Sequence, residues 1–168
     1  MLEVVIYPNS ILRKVSKPVE AFDESLHQLL DGMYEIMIQK NGVGISAIQV
    51  AKPIRALLIC LPDEKGEQNQ ENLIEAINPE ILSKSGEILF TEGCLSIPEF
   101  YEDVKRFENI KVAYQDRFGN RREIEAEGFL AVAFQHEIDH LNGVLFIDKL
   151  PLLKRKKFEK EFKQKRKL

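Results

Sequence analysis

Residues 134 to 143 read FQHEIDHLNG, which sets two of the chain's three histidines four positions apart, with a glutamate directly after the first. On an α-helix, residues four apart lie one turn above one another on the same face, so His136 and His140 can offer imidazole nitrogens to a single ion. Glu137, one step round, borders that ion without having to bind it, which is the place for a base acting on a water. The H-E-x-x-H pattern has only three fixed positions and also arises by chance on solvated helices. Here the preceding turn is strongly apolar, and burying two imidazoles beside a carboxylate is costly without a charge partner. That favours a metal site.

Two histidines are too few, because a catalytic ion of the zinc type normally takes three protein ligands and leaves a fourth position open. One metalloprotease pattern would place a third histidine six residues after the second; its glycine is present as Gly143, but Phe146 stands where the ligand should be. Another would supply a glutamate about twenty residues later, where Glu159 and Glu161 lie among nine basic side chains that compete for them. His27 falls within an N-terminal helical pattern and reads as a helix-surface residue. Cys94, in EGCLS between glycine and polar neighbours, is left as the best third ligand. Cys60, inside the apolar run ALLICL, reads as a small core residue. Two cysteines make no disulfide framework in a chain of this size.

The elements that must position these residues follow from periodicity. Between Asp23 and Lys40 the apolar residues Leu26, Leu29, Leu30, Met33, Ile36 and Met37 recur at helical spacing, with Asp23 as N-cap and Asn41-Gly42 as the stop. Short apolar or alternating segments at 54–61, 73–78 and 87–91 read as strands. Segments 109–115 and 121–127 flank DRFGN as a hairpin. From Gly128 to about Leu141 the pattern is helical again, and the two histidines ride on that helix. Pro151 is placed for the first turn of a last helix that should carry Leu152, Leu153, Phe158 and Phe162 inward. The polar stretch 62–72 reads as a surface loop. This order predicts an α+β fold: short mixed or antiparallel sheets around a central metal-binding helix, with one helix toward each terminus.

At 168 residues and 44% hydrophobic content the chain suits one buried core, expected as a single catalytic domain over 1–168. The start, MLEVVIYPNS, lacks the basic and apolar stretches of an export signal. The longest apolar runs are six residues, too short to span a membrane. A cytoplasmic protein is the expectation. The net charge of −3 hides an asymmetry, for residues 154–168 hold nine Lys or Arg against two Glu. That stretch is a basic C-terminal helical tail of +7, which leaves −10 on the remainder.

Three blocks, GVGISAIQ (42–49), EGCLS (92–96) and QHEIDHLNG (135–143), together resemble the signature blocks of bacterial peptide deformylases, in this order and at similar spacing over nearly the whole chain. The resemblance implies a metal-dependent hydrolase that removes the formyl group from the N-terminal formylmethionine of newly made polypeptides and releases formate. It implies Cys94, His136 and His140 as ligands of one divalent ion, with Fe2+ the native ion and Zn2+ or Ni2+ as replacements. Glu137 is implied as general base and acid, and Gln49 with the Leu95 N–H as donors to the reacting carbonyl oxygen. The backbone of Val43, Gly44 and Gly93 would line the substrate strand, and Phe129, Val132 and Ala133 would form the methionine pocket; without the resemblance those last three read as core. Two departures stand out. Ser46 replaces the usual alanine, and Tyr101 falls where relatives often carry arginine.

The partners so implied are formylmethionyl peptides, with neither DNA nor membrane. Docking of the basic tail on ribosomal RNA stands level with a simpler account, in which a solvated helix end is stabilised by its own cations. GVGISA also fits a loose dinucleotide-binding pattern, but it follows a helix and Pro53 interrupts any helix after it, so that reading is rejected. Two rivals remain open from the residues alone. An endopeptidase would take a Glu ligand from the tail, and a metal-stapled RNA-binding domain would turn over no formylated peptide. Asp139 points away from the ligand face and reads as a surface residue or a partner behind the ligands.

Overall fold

A computed structural model describes residues 1–166; Lys167 and Leu168, the last two positions of the expected tail, lie outside the described residues. Helix α1 (Glu24–Gln39) buries Leu26, Leu30, Met33, Ile36 and Met37 along one stripe. The Asp23 side chain accepts the Leu26 N–H at 3.1 Å, as an N-cap should. Asn41, in the left-handed region at φ 59°, turns the chain out of the helix.

Five strands form one sheet in the order β1-β2-β3-β6-β7: β1 (Gly44–Ser46), β2 (Ala56–Cys60), β3 (Leu73–Ser85), β6 (Asn109–Gln115) and β7 (Arg121–Glu127). Inserted between β3 and β6, strands β4 (Ile88–Cys94) and β5 (Ile97–Arg106) form a separate two-stranded sheet. All these pairings are antiparallel, so of the expected mixed or antiparallel sheets the antiparallel kind is found. The β6–β7 turn forms as read: Asp116 accepts the N–H groups of Phe118 at 2.9 Å and Asn120 at 3.0 Å, and Gly119 takes φ 86°.

Helix α2 (Gly128–Leu141) is sunk into the molecule. Ala131, Phe134, Ile138 and Leu141 join Leu57, Ile59, Ala76, Ile110 and Val112 of the large sheet in one apolar cluster. The other side of α2 turns toward β4 and the β4–β5 turn. Helix α3 (Leu152–Arg166) lies outside, held by Phe158 and Phe162 against Tyr7 and Phe100.

Two expectations require correction. Leu152 and Leu153 are 66% and 81% exposed. At about 100° per residue Leu153 falls roughly opposite the stripe through Phe158 and Phe162 and Leu152 about 100° round from it, so neither joins that stripe. His27 is half-buried, its Nε2 lying 2.8 Å from the Arg117 carbonyl, so it ties α1 to the β6–β7 turn instead of standing on a free surface. Strands β1 and β5 had no reading in the sequence.

Candidate metal centre

The ligand atoms of Cys94, His136 and His140 lie within 4.8 Å of one another, the one such His, Cys and carboxylate cluster among the described residues. Each arrives by a local rule. The histidines share a face of α2 because they are one turn apart. Cys94 closes β4, where the pairing Cys94 with Ile97 turns the hairpin and directs the thiol at the helix. Its Sγ is 3.4 Å from His140 Nε2. Bonds of about 2.0–2.3 Å in a tetrahedral site put neighbouring ligand atoms about 3.6 Å apart, so the triad fits an ion of that class. One thiol with two imidazoles suits first-row transition metals and leaves the choice among them open.

Behind the triad runs a buried polar chain. His136 Nδ1 is 2.8 Å from Glu92 Oε1. A carboxylate can only accept, so Nδ1 carries the proton and Nε2 presents its lone pair to the site. Arg106 grips Glu92 through Nε at 2.7 Å and Nη2 at 2.9 Å, and its Nη1 donates to Asp139 at 2.6 Å. Glu92 and Arg106 are 5% and 6% exposed, so each depends on the other. Burial alone would raise the Glu92 pKa, but the Arg106 guanidinium and His136 hold it below the usual carboxylate range.

Nothing in the sequence reading gave Glu92 or Arg106 a role. The usable signal was chemical: a ligating histidine nearly always gives its second N–H to a carboxylate or carbonyl, and EGCLS offers Glu92 two residues before the thiol. Asp139 is found behind the ligands, one arginine removed from Glu92. Glu159, by contrast, is exposed and faces Arg155 at 3.9 Å, and neither it nor Glu161 belongs to the cluster. The tail-glutamate reading is thereby overturned.

Glu137 is 5% exposed. Burial is the largest influence on it and raises its pKa, against the opposing pull of His136 and a hydrogen bond from Ser46. His136 feels burial most, which disfavours its charged form, yet the charge of Glu137 and hydrogen bonds with Cys94 and Glu92 outweigh this and hold it well above the ordinary value. His140 goes the other way: burial first, then the positive surroundings of His136, Arg106 and Arg13, hold it well below.

A cleft of about 1010 Å³ opens onto this centre. Every residue expected in the site lines it except His140, which is 1% exposed and lies behind the wall. Val43, Gly44 and Gly93 form its strand-like sides. A Cβ at Gly93 would fall 2.5 Å from the Tyr101 ring, so Tyr101, itself 69% exposed, rests on that glycine at the outer edge. Phe129, Val132 and Ala133, one turn and more before His136 on the same face, make the apolar end, where Phe129 stacks on Phe90 at 4.8 Å. Gln49 sits in a 3-10 turn (Ala47–Val50) after β1. Its Oε1 accepts the Ser46 N–H at 2.9 Å, which turns Nε2 toward Cys94 Sγ at 3.5 Å and Ser96 Oγ at 3.1 Å. The N-terminal segment spans both donor-bearing turns: the Val5 N–H binds the Gln49 carbonyl at 2.7 Å and the Tyr7 N–H binds the Ser96 carbonyl at 2.8 Å.

Comparison with known proteins agrees over nearly the full length. The polypeptide deformylase family model matches residues 1–156. A peptide deformylase of Wolinella succinogenes is 65% identical over 164 residues, covering 98% of this chain and 96% of that protein. The crystal structure of a peptide deformylase from Legionella pneumophila superposes with TM-score 0.90 at 42% identity, covering 99% of this chain and 96% of that one. A class I type b peptide deformylase from Acinetobacter baumannii, solved with Met-Ala-Ser bound, superposes with TM-score 0.82 at 37% identity, covering 89% of this chain and 98% of the other.

Proposed function

The chain belongs to the polypeptide deformylase family, and on that premise we propose which of its residues carry the reaction, which ion they hold and where the enzyme works. Enzymes of this family are metal-dependent hydrolases that remove the formyl group from the N-terminal formylmethionine of new polypeptides. Cys94, His136 and His140 hold the divalent ion, which is Fe2+ in the cell, with Zn2+ or Ni2+ as substitutes. Bound there, such an ion would supply Lewis acidity, able to bring the pKa of a water far down from its bulk value, to about 7.

The remaining work falls to the chain's own groups. Glu137, buried beside the ligands, takes the proton of the attacking water and passes it to the departing amine nitrogen. Gln49 Nε2 and the Leu95 N–H donate to the formyl oxygen as it gains negative charge, which counts most where water is excluded. Val43, Gly44 and Gly93 align the peptide backbone, while Phe129, Val132 and Ala133 take the methionine side chain. The relative solved with Met-Ala-Ser supports this cleft as the peptide site.

The observation that carries the reading is the meeting of one thiol, two imidazoles and a buried glutamate at the floor of a peptide-sized cleft. Formate release from a formyl-Met peptide by anaerobically prepared protein, with the metal identified in the same sample, tests it. Turnover that tracks iron content is expected, with Cys94→Ser losing both metal and turnover. Full metal loading with no turnover would instead favour the metal-stapled RNA-binding reading.

We also propose a cytoplasmic enzyme whose basic tail docks on ribosomal RNA near emerging chains. No described helix is long and apolar enough to cross a membrane. Lys154, Arg155 and Lys165 are paired with Glu102, Asp148 and Glu99, whereas Lys156, Lys157, Lys160 and Lys163 are exposed and form no ion pair among the described residues. Binding through them should weaken steeply with salt, because counterions are released from the nucleic acid. A protein ending at residue 153 that still co-sediments with ribosomes as the intact chain does would end this proposal.

A further inference from the structure

We infer that Ser46 is a positioning residue that holds the Glu137 carboxylate by one oxygen and leaves the other to exchange the proton with water and substrate; this rests on the acid and base role proposed for Glu137. Ser46 ends β1 and is completely buried. Its Oγ lies 3.0 Å from Glu137 Oε1 and 2.9 Å from the Glu137 main-chain oxygen. A hydroxyl has a single proton to give, so it serves these two acceptors one at a time or shares itself between them. Of the two, the carboxylate oxygen is the stronger partner, and with the main-chain oxygen beside it the buried hydroxyl is never left without an acceptor.

The two oxygens of Glu137 are thereby made unequal. Oε1 faces Ser46. Oε2 lies against Gly44, where an added Cβ would come within 2.5 Å of it, and no protein donor reaches it among the described residues. Gly44 and Glu137 both line the cleft, so Oε2 is the oxygen presented to the reacting groups. The Ser46 N–H meanwhile orients Gln49 through Oε1. One buried residue thus sets the directions of two groups assigned to the reaction, where the related signature block usually has only a methyl.

Steady-state kinetics on a formyl-Met peptide test this, run with metal analysis, thermal unfolding and a crystal structure of each variant. For Ser46→Ala we expect kcat to fall about tenfold, the scale of one hydrogen bond to a charged group, with KM and metal content unchanged. The Glu137 side chain should then occupy more than one orientation in the crystal. Ser46→Cys, which fills the space with a weak donor, should fall similarly; wild-type kcat there would mean that Ser46 only occupies volume and would overturn the inference. In a Glu137→Gln background Ser46→Ala should have no further effect. An undiminished kcat in Ser46→Ala, or a loss that persists when Glu137 is already Gln, also overturns it. Full activity in Glu137→Gln alone would sink the role assigned to Glu137, a different failure.

Discussion

Helices α2 and α3 both carry polar side chains toward the end of the chain, and they treat them in opposite ways. In α2 the side chains of Gln135, His136, Glu137 and His140 are all buried. Gln135 gives its amide to the Phe107 and Ala131 carbonyls, His136 pairs with Glu92, and Glu137 receives Ser46. In α3 Phe158 is the one buried residue, and its charges stand in water or pair across the surface. A polar group costs free energy to bury unless it is partnered, so a helix that buries four of them within six positions is organised around what they do. The tail helix needs no such explanation, being anchored by aromatic contacts and otherwise solvated.

The sharpest way to break this contrast is to remove the functional group of α2 while keeping its shape. Glu137→Gln should lower kcat by about 10² to 10⁴, with unfolding behaviour nearly unchanged, as read by single-turnover kinetics and calorimetry. Next comes the support behind it. Glu92→Ala leaves the buried Arg106 with Asp139 as its remaining carboxylate partner and frees the His136 ring, so a stability loss of about 3 kcal/mol and a metal affinity lower by about 10- to 100-fold are expected from denaturation and metal competition. On α3 the corresponding test is apolar. Phe158→Ala should cost about 3–5 kcal/mol in denaturant unfolding while leaving kcat of the folded fraction intact.

A smaller effect sits at the joint between the two helices. Asp148 accepts the Leu145 N–H at 2.9 Å and pairs with Arg13 and Arg155. Burial tends to raise its pKa, but Arg13, the Leu145 N–H and Arg155 together hold it below the ordinary value of 3.8. A depressed carboxylate stabilises the fold above its unfolded pKa and ceases to do so as pH falls through the folded one. Acid titration of unfolding should therefore lose this contribution below about pH 4, and Asp148→Asn should flatten the profile in that window only. The smallest expected change is Leu153→Lys, within about 0.5 kcal/mol of the parent, because the side chain is 81% exposed; a larger loss would mean that α3 buries more than its aromatic stripe.

The same contrast explains what could be read from the residues alone. The ligand pair was legible because one helical turn is a local rule, and α1 and the β6–β7 hairpin were legible because caps and turn residues act over a few positions. Phe158 and Phe162 were placed inward correctly, but Leu152 and Leu153 were drawn in with them on hydrophobicity, where helical phase decides. Strand β5 is hidden in the sequence because IPEFYEDVKR mixes a proline with five charges and spreads its buried residues unevenly around Glu99, which takes φ 64°. With β5 unseen, Arg106 could not be brought opposite Ile88, and the contact of Arg106 with Glu92 and Asp139 stayed hidden. Ser46 stands out in the sequence as a departure, but its reach to Glu137 spans 91 positions and belongs to the packing of β1 on α2.

The two rungs from Val5 and Tyr7 to the carbonyls of Gln49 and Ser96 make the opening residues of the chain a crossbar between otherwise separate turns. The gap separating the Gln49 amide from the Leu95 N–H is therefore gauged partly by seven residues that touch no reacting atom. Trimming that crossbar would leave every side chain assigned to the reaction in place and still let the two halves of the donor pair drift out of step.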